Sequence, residues 1–264
     1  MANDPVTVEA CYLYPVKGMT PLEADALQLE AGRSPLGDRA FIFAFADADL
    51  QGDRGWVSKR EAVTLLTTPE LAQVTSRYDA EARRLILAVP GRDEASANVD
   101  KPAEREALAA WLAEVVNQFP SNPLSGRPER EPLQLLGDGE TLFTDRGPSQ
   151  ISIGGRESLR ELSERAGANV DERRFRSNLM VSGIDAWQEV EWPGRQFRLG
   201  EAVIEVTAPL RRCNAVNASP EGNGRDLDLT KVLQREYGHI NFGVEANAIK
   251  GGQVRPGDTM TVAN

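Results

Sequence analysis

The chain has 264 residues, 30 of them basic and 40 acidic, for a formal net charge of −10. Two cysteines and one histidine exclude a disulfide scaffold, a zinc finger, a four-cysteine iron–sulfur site and a metal cage built from His and Cys alone. The acidic balance argues against general binding to nucleic acid or to an anionic membrane, but leaves room for a local basic site.

Val6, Val8, Ala10 and Tyr12 alternate with their neighbours, which predicts a half-buried strand ended by Tyr14-Pro15. Ala40–Phe45 is a short apolar run, and Trp56–Lys59 is a second strand candidate, with residues 47–55 between them as a hairpin loop. Val74–Tyr78 and Leu85–Val89 form another hairpin, and 91–98 reads as a loop. Leu108, Trp111, Leu112, Val115, Val116 and Phe119 lie on one stripe at helical period, and Pro120 stops that helix. Segment 121–132 carries three prolines in polar surroundings and reads as a linker. It divides the chain into domains at 1–120 and 121–264.

Beyond it, strands are predicted at 133–136, 178–182, 203–208, 212–217, 241–246 and 258–262, and helices at 156–165 and 229–236. The fold class is therefore mainly β with helical additions (α+β), of barrel-like character. No apolar run reaches the roughly 18–20 residues of a membrane span. The N-terminus has no basic region followed by an apolar one. We expect a cytoplasmic protein with reduced thiols.

Among the basic residues, 25 are Arg and five are Lys. Composition alone is consistent with a GC-rich coding background, so position has to carry the argument. Four segments stand out: Tyr14-Pro15-Val16-Lys17-Gly18, Leu36-Gly37-Asp38-Arg39, Arg173-Arg174-Phe175-Arg176-Ser177-Asn178 and Arg211-Arg212-Cys213. Each alone reads blandly, as a surface lysine, a turn, a charged face and a small core thiol.

In this order the segments resemble the MOSC family, and specifically a MOSC N-terminal β-barrel domain followed by a MOSC domain. The family includes relatives of the mitochondrial amidoxime-reducing component. Supporting segments are 182–187, Glu189 with Trp192, Asn241-Phe242-Gly243-Val244 and Gly257-Asp258. The resemblance implies a MOSC β-barrel preceded by a smaller barrel-like domain, and a bound molybdenum cofactor (Mo-molybdopterin). Cys213 would be its metal ligand and catalytic residue. Thiolate is a soft donor suited to such a metal, and the adjoining Arg211 and Arg212 favour the ionised form. Lys17, Arg39, Arg176, Asn178 and Arg212 match the family's cofactor-contacting positions. Forked guanidiniums suit a buried phosphate, and Asn178 offers both a donor and an acceptor.

Arg174 and Arg176 share a face if they lie on one strand, with Phe175 turned into the core. Arg173 receives no role. Three departures matter. Gly18 stands where the family often has Ser, Ser177 where it often has Pro, and Leu210 where many relatives carry a second Cys. Gly154-Gly155-Arg156 lies where relatives place a helix start near the cofactor. His239 reads as a loop residue and Cys11 as a structural thiol.

By resemblance, the chain is an oxidoreductase acting on small N-hydroxylated substrates. Two cysteines cannot hold an iron–sulfur cluster, so electrons are expected from a separate reductase or ferredoxin. The alternative is a sulfur or cofactor carrier that holds a persulfide or metal at Cys213. A non-catalytic phosphate-binding module is a third reading. It requires ligand binding that survives loss of Cys213.

Overall fold

The structure is a computed structural model, described over residues 5–51, 56–145 and 150–263. Alternating and continuous apolar segments become short strands. In chain order these begin with β1 (Val6–Leu13), β2 (Leu22–Glu23), β3 (Leu27–Leu29) and β4 (Ile42–Ala44). Next come β5 (Thr75–Asp79), β6 (Arg84–Ala88), β7 (Ala95–Asn98), helix α1 (Pro102–Val116) and β8 (Gln134–Leu136). The remainder is β9 (Ile151–Gly155), α2 (Arg156–Ala166), β10 (Leu179–Ser182), β11 (Gln196–Leu199), β12 (Ala202–Arg211), α3 (Leu229–Tyr237), β13 (Asn241–Lys250), β14 (Gly252–Val254) and β15 (Thr259–Val262).

Seven strands close a barrel in the order β1-β10-β9-β13-β12-β11-β15, because β1 pairs with both β10 and β15. The first strand of the chain thus seals a barrel made otherwise from its C-terminal half. Closure leaves no open sheet edge around that ring. Among the described barrel strands only β9 and β10 run parallel, and α2 makes the crossover that a parallel pair requires. Alternate residues of these strands fill the interior, among them Val8, Ile153, Val181, Ile204 and Val244.

A second core lies under the N-terminal part. Leu108, Leu112, Val115 and Val116 of α1 pack against Phe41, Phe43, Leu85 and Leu87. Each such side chain contributes about 1.5–3 kcal/mol when fully buried. Pro102 starts α1, where a missing N–H costs nothing. Gly167 and Gly238 end α2 and α3 in the left-handed conformation that glycine tolerates.

Several local expectations are corrected. The apolar run at 40–45 does not form a hairpin with 56–59. Its strand β4 pairs with β8, some ninety residues later, in the register Ile42↔Leu136. Near Trp56 only an isolated bridge to Gln51 forms, and 52–55 of the expected loop lie outside the described residues. Residues 95–98 are not loop but the edge strand β7, added to the free side of β6. Its Ala-Ser-Ala-Asn sequence is too small and polar to show strand character, although Ala97 is fully buried.

Residues 212–217 are not a strand. β12 stops at Arg211, and Asn214–Asn217 form a 3₁₀ turn that follows Cys213. Asn217 ties this turn to the start of α3, donating Nδ2 to Asp228 Oδ1 and Thr230 Oγ1, each at 3.3 Å. Arg174 and Arg176 do not share a strand face either. Glu172–Phe175 is a 3₁₀ turn, and Arg176 follows in a left-handed conformation with φ of 54°. Phe175 still reaches the core, stacked on Phe242 with ring centroids 3.8 Å apart. No helix among the described residues is long and apolar enough to cross a membrane.

Candidate functional site

A cavity of about 430 Å³ opens between the N-terminal part and the barrel. Lys17, Arg39, Arg176, Asn178, Arg212 and Cys213 all lie on its wall. They arrive from four places: the loops after β1 and β3, the turn before β10, and the end of β12. Lys59, Arg174 and Arg211 add further positive charge, and among the described residues Asp145 is the one carboxylate on the wall.

Tyr14 organises one side. Its ring is fully buried, its hydroxyl donates to the Ser177 carbonyl at 3.1 Å, and its N–H donates to Asp38 at 3.0 Å. The guanidiniums of Arg39 and Arg176 both lie over that ring, 4.3 and 4.2 Å from its centroid. Such cation–π contacts let two like charges pack closely. Arg39 pairs with buried Asp38 and donates to the Arg176 carbonyl at 2.9 Å. Arg176 Nη1 donates to the Met19 carbonyl at 2.6 Å, while Nη2 is buried without a partner. Burial, reinforced by the Arg39 charge, lowers the Arg176 pKa to about 10, so it stays cationic near neutrality.

Asn178 is committed to the protein. Its Oδ1 accepts from Ser152 N at 3.1 Å and Ser152 Oγ at 2.8 Å, and more weakly from Arg39 at 3.3 Å. Its Nδ2 donates to the Tyr12 carbonyl at 3.2 Å. One amide hydrogen is left over, so Asn178 has a single donor to offer a ligand rather than a donor and an acceptor. Arg212 is buried and braces two main-chain carbonyls, giving Nε and Nη2 to Phe242 at 2.9 and 2.7 Å and Nη1 to Phe175 at 2.6 Å. Arg174 makes a fork with Asp226, at 2.8 Å through each of two nitrogens, and ties the turn to the Ala218 carbonyl at 2.9 Å. Arg173 faces Asp171 and Glu221 instead.

The opposite side carries two lysines. Buried Lys17 Nζ lies 2.6 Å from Asp145 Oδ1, and Lys59 Nζ lies 2.7 Å from Asp145 Oδ2. Burial lowers the Lys17 pKa against the pull of Asp145. Desolvation opposes the Asp145 charge too, but Lys17 and Lys59 outweigh it and hold the carboxyl at about 2. Burial likewise opposes the Lys59 charge, yet Asp145 and Cys213 together raise its pKa. Cys213 itself is a half-buried free thiol at the N-terminal end of its 3₁₀ turn.

Sequence reasoning missed Lys59, Asp145 and Ser152. No motif marks them, and all three owe their position to contacts far along the chain. The proposed helix start at Gly154-Gly155-Arg156 does not line the cavity. Arg156 turns away to Glu172 at 3.2 Å, and Ser152, two residues earlier, is the one on the wall. Gly18 has a physical reason for replacing a serine. Its φ is +97°, and an added Cβ would stand 2.8 Å from the Thr64 main chain. His239 sits in the loop after α3 among Trp187 and Tyr237, away from the cavity. Cys11 is fully buried, and burial pushes its thiol up to about 12.

A closed seven-stranded barrel joined to an N-terminal part of shorter sheets, with a thiol and clustered arginines on the cavity between them, defines a class. Family models for the MOSC N-terminal beta barrel domain and the MOSC domain match residues 5–118 and 138–261. The chain belongs to the MOSC family and carries both domains. Among similar proteins is "Mitochondrial amidoxime reducing component 2" of Macaca fascicularis, 23% identical over 96% of this chain and 82% of that protein. Another is "Molybdenum cofactor sulfurase" of rice (Oryza sativa subsp. japonica), 23% identical over 92% of this chain and 32% of that protein. The chain thus spans about a third of the length of the sulfurases it matches. Among solved structures, the YUAD protein from Bacillus subtilis aligns with a TM-score of 0.46 and 11% identity, over 97% of this chain and 94% of that one.

Proposed function

We propose that this protein binds a molybdenum cofactor in the cavity and reduces small N-hydroxylated compounds with electrons from a separate donor protein. The observation that carries this reading is one accessible thiol, Cys213, on the same wall as a set of cationic side chains. Cavity volume falls within the usual range of cofactor sites, about 300–1,000 Å³.

The residues fit an anionic group with a soft metal. Arg176 Nη2 is a buried donor with no acceptor, and an anion seated beside it satisfies it. Lys17 and Arg39 supply further charge from the two flanking loops. Cys213 is the soft donor. Among the described residues no group of three or more His, Cys, Asp or Glu side chains could hold a metal ion, so one thiolate has to work with sulfurs brought by the pterin. Bound there, the cofactor supplies two-electron redox chemistry, and the protein supplies binding, orientation and electrostatics. Arg212 holds the end of β12 in place beside Cys213 through its three carbonyl bonds.

The test is metal analysis of protein expressed in a molybdate-replete host, then turnover of a hydroxylamine substrate with an artificial reductant. Stoichiometric molybdenum with turnover, both lost in Cys213→Ala, is expected. A persulfide on Cys213 without turnover identifies the carrier instead. Full activity in Cys213→Ala overturns the site.

A further inference from the structure

Lys59 has no place in the motif set, yet the fold brings it to the cavity wall that carries Cys213. The Trp56–Lys59 segment is pinned from both ends. Trp56 Nε1 donates to the Thr144 carbonyl at 3.1 Å, and Thr64 Oγ1 donates to the Lys59 carbonyl at 2.8 Å. The Lys59 ammonium is then clamped by Asp145 Oδ2 at 2.7 Å, while Lys17 holds the other carboxylate oxygen. From this position Lys59 lines the same cavity wall as Cys213. It is about two-thirds buried (side-chain exposure 32%), so its field is less screened than that of a surface lysine.

We propose that Lys59 is a specificity-determining residue, which makes the Cys213 end of the cavity favour anionic small molecules over neutral ones. The substrate class it selects is N-hydroxylated compounds that carry a carboxylate or an ionised N–O⁻ near the reacting group. That class rests on the reading under Proposed function. The electrostatic selection does not. A net charge of −10 repels anions from the molecule as a whole, so the preference has to be created locally. Seven basic side chains against one carboxylate on the described wall create it. Several of the seven are committed elsewhere: Arg174 to Asp226, and Arg39 to Asp38. Lys59 is paired too, but it shares the single carboxylate of Asp145 with Lys17, so this side of the wall keeps a net positive charge. Replacing it removes a positive charge there and leaves Asp145 with Lys17 alone.

The experiment uses the full chain without cofactor. Alkylation rates of Cys213 by iodoacetate and iodoacetamide are measured, with the modified residue located by mass spectrometry. Cys11 is buried and serves as an unreactive internal control. The ratio of the two rates cancels the thiolate fraction, so it reports the field acting on the reagent. Relative to a cysteine peptide, the wild-type ratio should favour iodoacetate by about tenfold, the size expected for one unit charge a few ångströms away at an intermediate dielectric. High salt should reduce this preference in the wild type. Lys59→Met should abolish most of it, and Lys59→Arg should retain it. A wild-type ratio equal to that of the peptide overturns the proposal, as does an unchanged ratio in a folded Lys59→Met. If Lys59→Met does not fold, the salt dependence and Lys59→Gln make the same decision. Anion preference without molybdenum loading overturns the cofactor reading and leaves Lys59 in its role. A loaded, active enzyme whose kcat/KM is the same for carboxylate-bearing and neutral N-hydroxylated substrates overturns the Lys59 proposal alone.

Discussion

Arg39 Nη2 donates to the main-chain carbonyl of Arg176 at 2.9 Å, joining the loop before β4 to the turn before β10. The two guanidiniums then share the Tyr14 ring. This arrangement positions the two arginines against a common support before any ligand arrives.

Arg176 combines a left-handed backbone with a buried, unpartnered Nη2. Arg176→Ala and Arg176→Gly should both lower molybdenum loading, measured by metal analysis. The glycine variant should be more stable than the alanine variant by about 1 kcal/mol, because glycine adopts φ near 54° without strain. Urea unfolding of the two variants checks the difference.

Asn178 links β1, β9 and Arg39 through one buried amide. Asn178→Ala leaves the Ser152 hydroxyl and the Tyr12 carbonyl each short of a partner. The expected cost is about 2–4 kcal/mol, since a buried polar group left unpaired costs about 1–3 kcal/mol. A lowered midpoint in thermal unfolding of the cofactor-free protein reports it.

Gly18→Ser restores a residue common in the family and should nonetheless damage this chain. The positive φ and the 2.8 Å approach to the Thr64 main chain act together. We expect a loss of about 2–3 kcal/mol, from backbone strain plus displacement of the neighbouring loop. Denaturant titration of wild type and variant measures it.

Glu189 is fully buried, takes a hydrogen bond from Ser158 at 2.8 Å, and has one oxygen without a partner. Burial raises its pKa above the ordinary 4.5, so the folded state binds this proton more tightly than the unfolded chain does. Its contribution is therefore greatest at acid pH and is lost as pH rises from about 4.5 through the folded value. Glu189→Gln keeps the shape and removes the titration. The variant should flatten the fall in melting temperature over that window and gain relative to wild type near neutrality. Melting curves from pH 4 to 8, roughly spanning that window, test the sign.

Alternation and helical stripes along the sequence determined most barrel strands and all three helices, because these patterns record which side of an element meets a core. The order of the Lys17, Arg39, Arg176 and Cys213 segments likewise pointed to one site. Tertiary structure decided the rest. The β4–β8 pairing, the Lys17–Asp145–Lys59 bridge and the clamp of Ser152 on Asn178 join residues far apart in the chain. Nothing local encodes such partners. Arg174 and Arg176 show the same limit at short range. Spacing of two suggests a shared strand face, but stacking of Phe175 on Phe242 and the Asp226 fork around Arg174 accompany a turn instead. The small number of cysteines could be read from the sequence alone. That one of them shares a cavity wall with a lysine more than 150 residues away could not, because only the folded chain brings the two to one place.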